Sequence, residues 1–230
     1  MKPVTAAVLT GVLLLLAGIT AFDLIGTESA ASPVDHAVRT VADTGSVNTV
    51  TAILLDYRAL DTLGEATVIL MTATIVAFVR PQSPAPMLSV RLSSVVLYGV
   101  MLLLPFIAVF GLAIMLFGHI SPGGGFTGGV MLSTSAMFYA VVYSVGGVQS
   151  YVTRPATNKI IENSAMFAFI GIGLLGIGLS GSFLANAATG IPLGEPGTLL
   201  SAGTIPVLNL VSGLKVGVGL GMIVISLFVE

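Results

Sequence analysis

Carboxylates stand at the head of a long apolar run in this sequence. Residues 56–65, DYRALDTLGE, hold Asp56, Asp61 and Glu65 together with Arg58, and an unbroken apolar segment follows. Charged side chains make up only 8% of the 230 residues, and one charge at the centre of a bilayer costs about 2.5–3.5 kcal/mol on insertion scales. Carboxylates in such a place are expected to have a use, and moving protons or small cations is the chemistry that suits them.

Helix geometry separates these carboxylates by depth. If the helix extends back to Arg58, then Arg58, Asp61 and Glu65 share one face. Glu65 lies about 22 Å along the helix from Arg80. If Arg80 marks the cytoplasmic surface, Glu65 is inside a hydrocarbon core about 30 Å thick. Asp61 falls near the outer edge, where a solvated first-turn acid is the alternative. Asp56 and Arg58 then belong to the external approach.

Lys215 is a second charge inside an apolar segment. It lies about 22 Å from Glu230 by the same helical rise, which is the depth expected for Glu65. We therefore hypothesise that Glu65 and Lys215 form one buried polar layer, paired directly or through water or a partner subunit. A desolvated lysine can relay protons. The alternative is a lysine whose side chain reaches back to the external interface.

A glycine-rich motif, GHISPGGGFTGG, occupies residues 118–129. Its glycines permit a sharp turn and close helix packing, with small residues four apart. No lysine follows in the pattern of a phosphate-binding loop, so that function is not expected. His119 either exchanges protons near neutral pH or serves as a hydrogen-bonding residue at a helix end. The structural part of the motif comprises Pro122, Gly123, Gly124, Gly125, Phe126, Gly128 and Gly129.

Glu162 follows Lys159 by three residues at the start of another apolar segment. An interfacial ion pair between the two, or a first-turn acid, is the simpler interpretation. If Glu162 is buried instead, it would be a cytoplasmic entry for protons.

The composition places these charges in an integral membrane protein. The chain is 55% hydrophobic with a mean hydropathy of +1.07. A soluble domain of this length cannot bury so much apolar surface. A net charge of −2 argues against a nucleic-acid partner. The absence of cysteine excludes disulfides and thiolate-bound clusters, and two histidines on separate segments make a haem or zinc site improbable. We expect no cofactor and no permanently bound metal.

The apolar runs predict an all-α, polytopic protein with about six transmembrane helices. Five of the eight lysines and arginines fall in segments that would share the cytoplasm, which places both termini there, whereas Arg39 and Arg58 fall on the opposite side. The five are Lys2, Arg80, Arg91, Arg154 and Lys159. Residues 41–55 are expected to form a short helix, interfacial or re-entrant, and residues 190–204 an irregular external loop. The six predicted spans are residues 4–22, 60–79, 92–117, 124–145, 160–186 and 206–229.

Two of these motifs resemble signatures of one transporter family. Residues 56–65 resemble a signature near the C-terminal end of the large A subunit of Mrp-type Na+/H+ antiporters, a unit that also occurs as the small E subunit of energy-converting membrane-bound hydrogenases. Residues 118–129 resemble the signature of the MrpB/MnhB subunit, the F subunit of those hydrogenases. The chain is therefore similar to a fusion, with residues 1–80 as a two-span unit, 81–87 as a proline-rich linker and 88–230 as a four-span MnhB-like domain.

The resemblance implies a transport subunit, not an enzyme, in the cell inner (plasma) membrane. It implies partnership with A/D-type large subunits, with small C-, E-, F- and G-type subunits, and with hydrogenase-like redox subunits if the complex is redox-driven. It also implies a sodium path that includes Asp56, Asp61 and Glu65, with Na+ transiently at Asp61 and Glu65, and a role for His119, Pro122 and Phe126 in antiport or assembly. A purely structural subunit is the alternative.

Overall fold

Long apolar segments form helices in the computed structural model, which describes residues 33–79, 93–145 and 155–227. A π-helical turn, Ile53–Tyr57, and a short 3₁₀ turn, Ala187–Thr189, lie between the α-helices. The α-helices are α1 (Pro33–Thr44), α2 (Thr49–Ala52), α3 (Ala59–Val79), α4 (Ser94–Leu116), α5 (Gly125–Val145), α6 (Pro155–Ser180) and α7 (Ile205–Leu227). The predicted all-α class is confirmed.

Four of these helices are long and apolar enough to cross a membrane: α3, α4, α6 and α7. The helix α5 matches the predicted span 124–145 in position but is not among the four, so its crossing stays a prediction. The predicted span 4–22 and the linker 81–87 lie outside the described residues. The count of six and the cytoplasmic termini therefore remain predictions.

The chain divides into two compact units, Met1–Val38 and Arg39–Glu230. The first is described only over residues 33–38, which are the beginning of α1. All of the contacts below belong to the second unit.

Helix α7 is the centre of the second unit. Within its spanning segment 56% is buried, against 11–28% in the other three spans. Glycines bring α5 into backbone contact with it, since a Cβ on Gly129 would lie 2.6 Å from the carbonyl oxygen of Gly213 and 2.9 Å from the Cβ of Val216. Gly125 likewise lies against Asn209. Successive α5 glycines thus meet successive turns of α7, so the two helices run in the same direction.

The predicted span 160–186 is wrong at its C-terminal end. Helix α6 stops at Ser180, and Gly181 takes a φ of +80° that an L side chain rarely adopts. The chain then folds back on the helix, where the N–H of Leu184 donates to the carbonyl of Gly173 at 3.3 Å and the ring of Phe183 packs on Gly173. Phe183 and Leu184 are apolar because they pack back on α6, and not because they continue it.

The segment 41–55 is also not one helix. Helix α1 ends at Thr44, and the chain turns at Gly45, which has a φ of +72°. The Asn48 side chain then caps α2, accepting from the N–H groups of Val50 and Thr51. The apolar residues of the segment therefore belong to two separate helical pieces, the end of α1 and α2 with the π-helical turn that follows it. Whether they lie at the interface or re-enter the membrane stays a prediction, whereas the irregular loop 190–204 is confirmed.

We predict that Gly129→Ala lowers the free energy of unfolding by about 1–3 kcal/mol, the usual cost of overpacking a close contact. The new methyl group would meet backbone atoms of α7, which cannot rotate away. The melting temperature of the purified protein in detergent measures the effect.

The matched control is Gly178→Ala in α6, where no atom lies within 4 Å of the added Cβ. It should keep the melting temperature or raise it, because alanine is the better helix former. Equal losses in both variants would show that the α5–α7 contact is not specially close.

Candidate functional site

The glycine loop is anchored to α2 by side-chain hydrogen bonds. The amide nitrogen of Asn48 donates to the carbonyls of Gly118 (2.7 Å) and Ser121 (2.8 Å), while the hydroxyl of Thr51 donates to Gly118 at 2.8 Å. Gly123 and Gly124 have φ values of +138° and +137°, which explains glycine at both positions. The segment that follows α1 and the glycine motif therefore form one folded cap.

Asn209 holds the other side of the glycine loop from within α7. Its side-chain oxygen accepts from the N–H of Gly125 at 2.5 Å, and its nitrogen donates to the carbonyl of Met115 at 3.2 Å. Both bonds are buried, and Ser212 one turn further donates to the carbonyl of Asn209 at 3.0 Å. This polar strip on α7 was not predicted from the sequence, although asparagine in a spanning helix is an uncommon enough residue to have indicated it.

His119 is fully buried inside this cap. Its carbonyl accepts from the hydroxyl of Ser46 (2.9 Å) and the N–H of Asn48 (3.0 Å), while Nε2 lies 3.3 Å from the carbonyl of Thr198. Nδ1 has no partner among the described residues. Burial lowers the pKa of His119, against hydrogen bonds to the Thr198 and Leu199 backbone that raise it. A neutral ring that donates from Nε2 fits this site, so the hydrogen-bonding interpretation of His119 describes the geometry.

A cavity of about 280 Å³ lies between α2, α3, the glycine loop and α7. Glu65 is its acidic residue, and its neutral polar groups are Thr51, Thr62, Thr127, Asn209 and Ser212. Gly123, Gly124, Gly125 and Phe126 of the glycine motif also line it. The structure thus brings together Glu65 and the glycine motif, which the sequence had only suggested separately.

Lys215 pairs with Glu162, so the direct contact with Glu65, one of the three predicted arrangements, is not observed. Pairing through water or a partner subunit stays a prediction. The Nζ of Lys215 donates to Oε1 of Glu162 at 3.2 Å, and both side chains are at least 97% buried. Helix α6 begins at Pro155, so Glu162 lies about 10 Å inside it. The interfacial interpretation of Glu162 fails for that reason, because the helix starts well before the predicted span.

Helix α3 closes the third side of this ion pair. A Cβ on Gly219, one turn after Lys215, would lie 2.7 Å from a methyl carbon of Ile69, 2.9 Å from Oε1 of Glu162 and 3.7 Å from Nζ of Lys215. Ile69 is itself one turn after Glu65. The ion pair and the Glu65 cavity are therefore neighbouring sites about one helical turn apart.

The other predicted carboxylates precede Glu65 along the chain and lie outside its cavity. Arg58 and Asp61 form an exposed ion pair at 2.5 Å, which agrees with their predicted common face. Asp56 is half-buried; burial raises its pKa, a hydrogen bond from Asn186 lowers it, and the charge of Asp43 raises it. Neither Asp56 nor Asp61 lines the cavity. Among the described residues, no cluster of three or more His, Cys, Asp or Glu could hold a metal ion.

The apolar helices, with a buried lysine–glutamate pair beside a cavity that contains Glu65, define a helical membrane protein with charged groups inside its bundle. Comparison with known proteins then gives the family. Residues 95–222 match the model described as "Domain related to MnhB subunit of Na+/H+ antiporter", and residues 2–94 match the model of MbhE, the E-type subunit of MBH. The chain belongs to the MnhB-related family, which confirms the resemblance indicated by its motifs.

Similar proteins occur in respiratory and antiporter complexes. The chain is 30% identical to one in the membrane-bound sulfane sulfur reductase, an archaeal respiratory membrane complex, with all of both chains covered and a TM-score of 0.75. It has the fold of a chain in the Mrp complex from Dietzia sp. DQ12-45-1b (24% identity, TM-score 0.65), covering 99% of this chain and 26% of that one. An uncharacterized protein of Methanocaldococcus jannaschii is 27% identical over 75% of this chain and 74% of its own length.

We predict that the free energy of unfolding decreases as the pH is lowered below about 6.5, the ordinary pKa of histidine, because of His119. Its native pKa is depressed, so above 6.5 the ring is neutral in both states. As the pH falls, the unfolded state takes up the proton first, and stability declines until the pH also passes the native pKa. In His119→Gln the melting temperature should change less between about pH 7 and pH 5 than it does in the wild type.

Gly178→Ala, which changes no titratable group, supplies the control and should keep the wild-type slope. Asp56 has a raised pKa and acts in the opposite direction, losing stability as the pH rises from its ordinary value of 3.8. A wild-type slope in His119→Gln would contradict a buried neutral ring.

Proposed function

We propose that this chain is a membrane component of a multi-subunit Na+/H+ antiporter, and that the Glu65 cavity is part of its ion path. The observation that carries the proposal is a single carboxylate, exposed in this chain, that lines a cavity together with hydroxyl and amide oxygens. Oxygen ligands of this kind suit hard cations. Glu65 binds Na+ when it is ionised and releases it when it is protonated or when a nearby cation approaches.

The remaining predicted residues act around this cavity. Asp56 and Asp61 supply negative charge on the outer approach, which raises the local concentration of cations. Asp61, paired with Arg58, is a second transient Na+ contact. His119 holds the cap that forms one wall of the path. Lys215 is the basic residue of α7 and lies between Ser212 and Val216, which line the cavity.

The chain contributes transport, not catalysis, and its place is the cell inner membrane. Its two parts are the two-span unit 1–80 and the MnhB-like domain 88–230, joined by residues 81–87. The family models that match residues 2–94 and 95–222 support two parts with a seam near this linker. The partners of this chain are A/D-type large subunits and small C-, E-, F- and G-type subunits of an antiporter module.

A redox-driven complex is the second candidate setting. It is favoured by full-length similarity to a chain of the sulfane sulfur reductase complex, at 30% identity. In that setting the same cation path is coupled to redox subunits of the complex, and this chain itself holds no cofactor. Purification of the native complex and analysis for iron–sulfur subunits separates the two settings.

A purely structural subunit is the remaining alternative. In that case the charges of α3 and α7 dock other subunits, and the cavity carries no ions. Ion-exchange measurements on assembled variants distinguish this alternative from the proposed path.

We predict that Glu65→Gln in the reconstituted complex reduces Na+/H+ exchange by about tenfold or more, because the neutral amide cannot attract Na+ or take up a proton. Assembly should persist, since Glu65 is exposed to the cavity and is not in the packed core. Exchange in vesicles and the subunit composition of the purified complex are measured together.

The control is Glu195→Gln in the exposed loop 190–204, which should leave exchange unchanged. Full exchange in Glu65→Gln would remove Glu65 from the path. Loss of assembly in Glu65→Gln would favour the structural alternative.

A further inference from the structure

The buried ion pair lies beside the proposed cation site but does not line it. Lys215 and Glu162 contact each other at 3.2 Å, whereas the cavity is lined by Ser212 and Val216 on either side of Lys215 along α7. Ser212 and Lys215 are neighbours at i, i+3 on the helix surface. The long, flexible side chain of Lys215 therefore has two carboxylates in its neighbourhood, namely Glu162 at 3.2 Å and Glu65 in the adjoining cavity.

We propose that Lys215 is a tethered cation that alternates between Glu162 and Glu65, and so couples proton uptake to cation release. This rests on the proposed function of the Glu65 cavity and adds the group that empties it. When Glu162 is ionised it holds Lys215, and the cavity is free for Na+. When Glu162 takes up a proton it no longer holds Lys215, which moves to Glu65 and displaces the ion.

Charge balance supports an exchange of this form. With Na+ bound, the two carboxylates are balanced by Lys215 and Na+. After Glu162 has gained one proton and one Na+ has left, Glu65 is balanced by Lys215 and Glu162 is neutral. The lysine keeps its protons throughout, and the site is neutral in both states. Lys215 and Glu162 are buried, and buried charges are tolerated only when they are compensated, a condition that both states satisfy.

Few other charges face this pair. Over the described residues, the three helices that enclose it carry only Lys215 on α7, Asp61 and Glu65 on α3, and Lys159 and Glu162 on α6. Lys159 lies one turn before Glu162, toward the start of α6, and is exposed. Protons therefore reach Glu162 from the α6 N-terminal side, opposite to the cap that encloses the Glu65 cavity.

Close packing leaves the carboxylate only limited room. The absent side chain of Gly219 makes space for Glu162 and for Ile69, so Glu162 is held against the α7 backbone. The lysine, with four rotatable bonds, is the partner that moves.

The test measures Na+ uptake by the reconstituted full complex in two modes, namely Na+/Na+ exchange, which needs no proton, and proton-driven exchange across pH. In Glu162→Gln, Lys215 is free at every pH and competes for Glu65, so the KM for Na+ should rise about tenfold or more in both modes. The double variant Glu162→Gln/Lys215→Met removes the competitor. It should restore the KM in Na+/Na+ exchange, while proton-driven exchange loses its dependence on pH.

Two further variants keep the result interpretable. If Glu162→Gln fails to assemble, Glu162→Asp weakens the pair without removing the charge and should give an intermediate rise in KM. Lys215→Arg keeps the cation and should retain pH-dependent exchange. A merely structural pair would leave the KM and the pH profile of assembled complexes unchanged.

The switch is overturned if assembled Glu162→Gln keeps the wild-type KM, or if the double variant keeps the wild-type pH profile. Failure of the underlying path is distinguishable, since then Glu65→Gln retains both modes of exchange. If Glu65→Gln loses both modes of exchange but Glu162→Gln keeps the wild-type KM, the ion path stands and only the switch is overturned.

Discussion

The compensation of a single buried cation governs how the helices of this protein are arranged. Lys215 lies in the middle of the most buried spanning helix, where an unpaired charge would be too costly to keep. Its partner Glu162 comes from a helix that must lie alongside it, and Gly219 lets α3 close over both. The ion pair thus defines the point at which α3, α6 and α7 meet.

Glycine determines the rest of the arrangement. Lipid does not drive apolar helices together, so their contact depends on close backbone approach and hydrogen bonds. Gly125 and Gly129 provide that approach between α5 and α7. Asn209 then reaches the glycine loop and ties it to α7. The cavity of Glu65 exists because the loop is held over α3 at a fixed distance.

The cap joins distant parts of the chain in a similar way. Asn48 and the buried ring of His119 connect the segment after α1, the glycine loop and the loop before α7. These segments are far apart in sequence and polar enough to be taken for simple external loops. Their hydrogen bonds turn them into a rigid wall of the cavity, which gives a histidine at this position a structural reason independent of any proton transfer.

The sequence by itself determined the helical class, most helix positions and the family, and it indicated Glu65, Lys215 and the glycine motif as candidate functional residues. Apolar runs, rare charges and clustered glycines are local signals, so they can be interpreted without a structure. The partner of Lys215 and the true end of α6 were decided only by the tertiary structure. Helical rise predicts a similar depth for Glu65 and Lys215, but depth along a helix says nothing about which faces meet. Glu162 makes that contact because packing of α6 against α7 brings its carboxylate to the lysine, and pairing depends on distance in space.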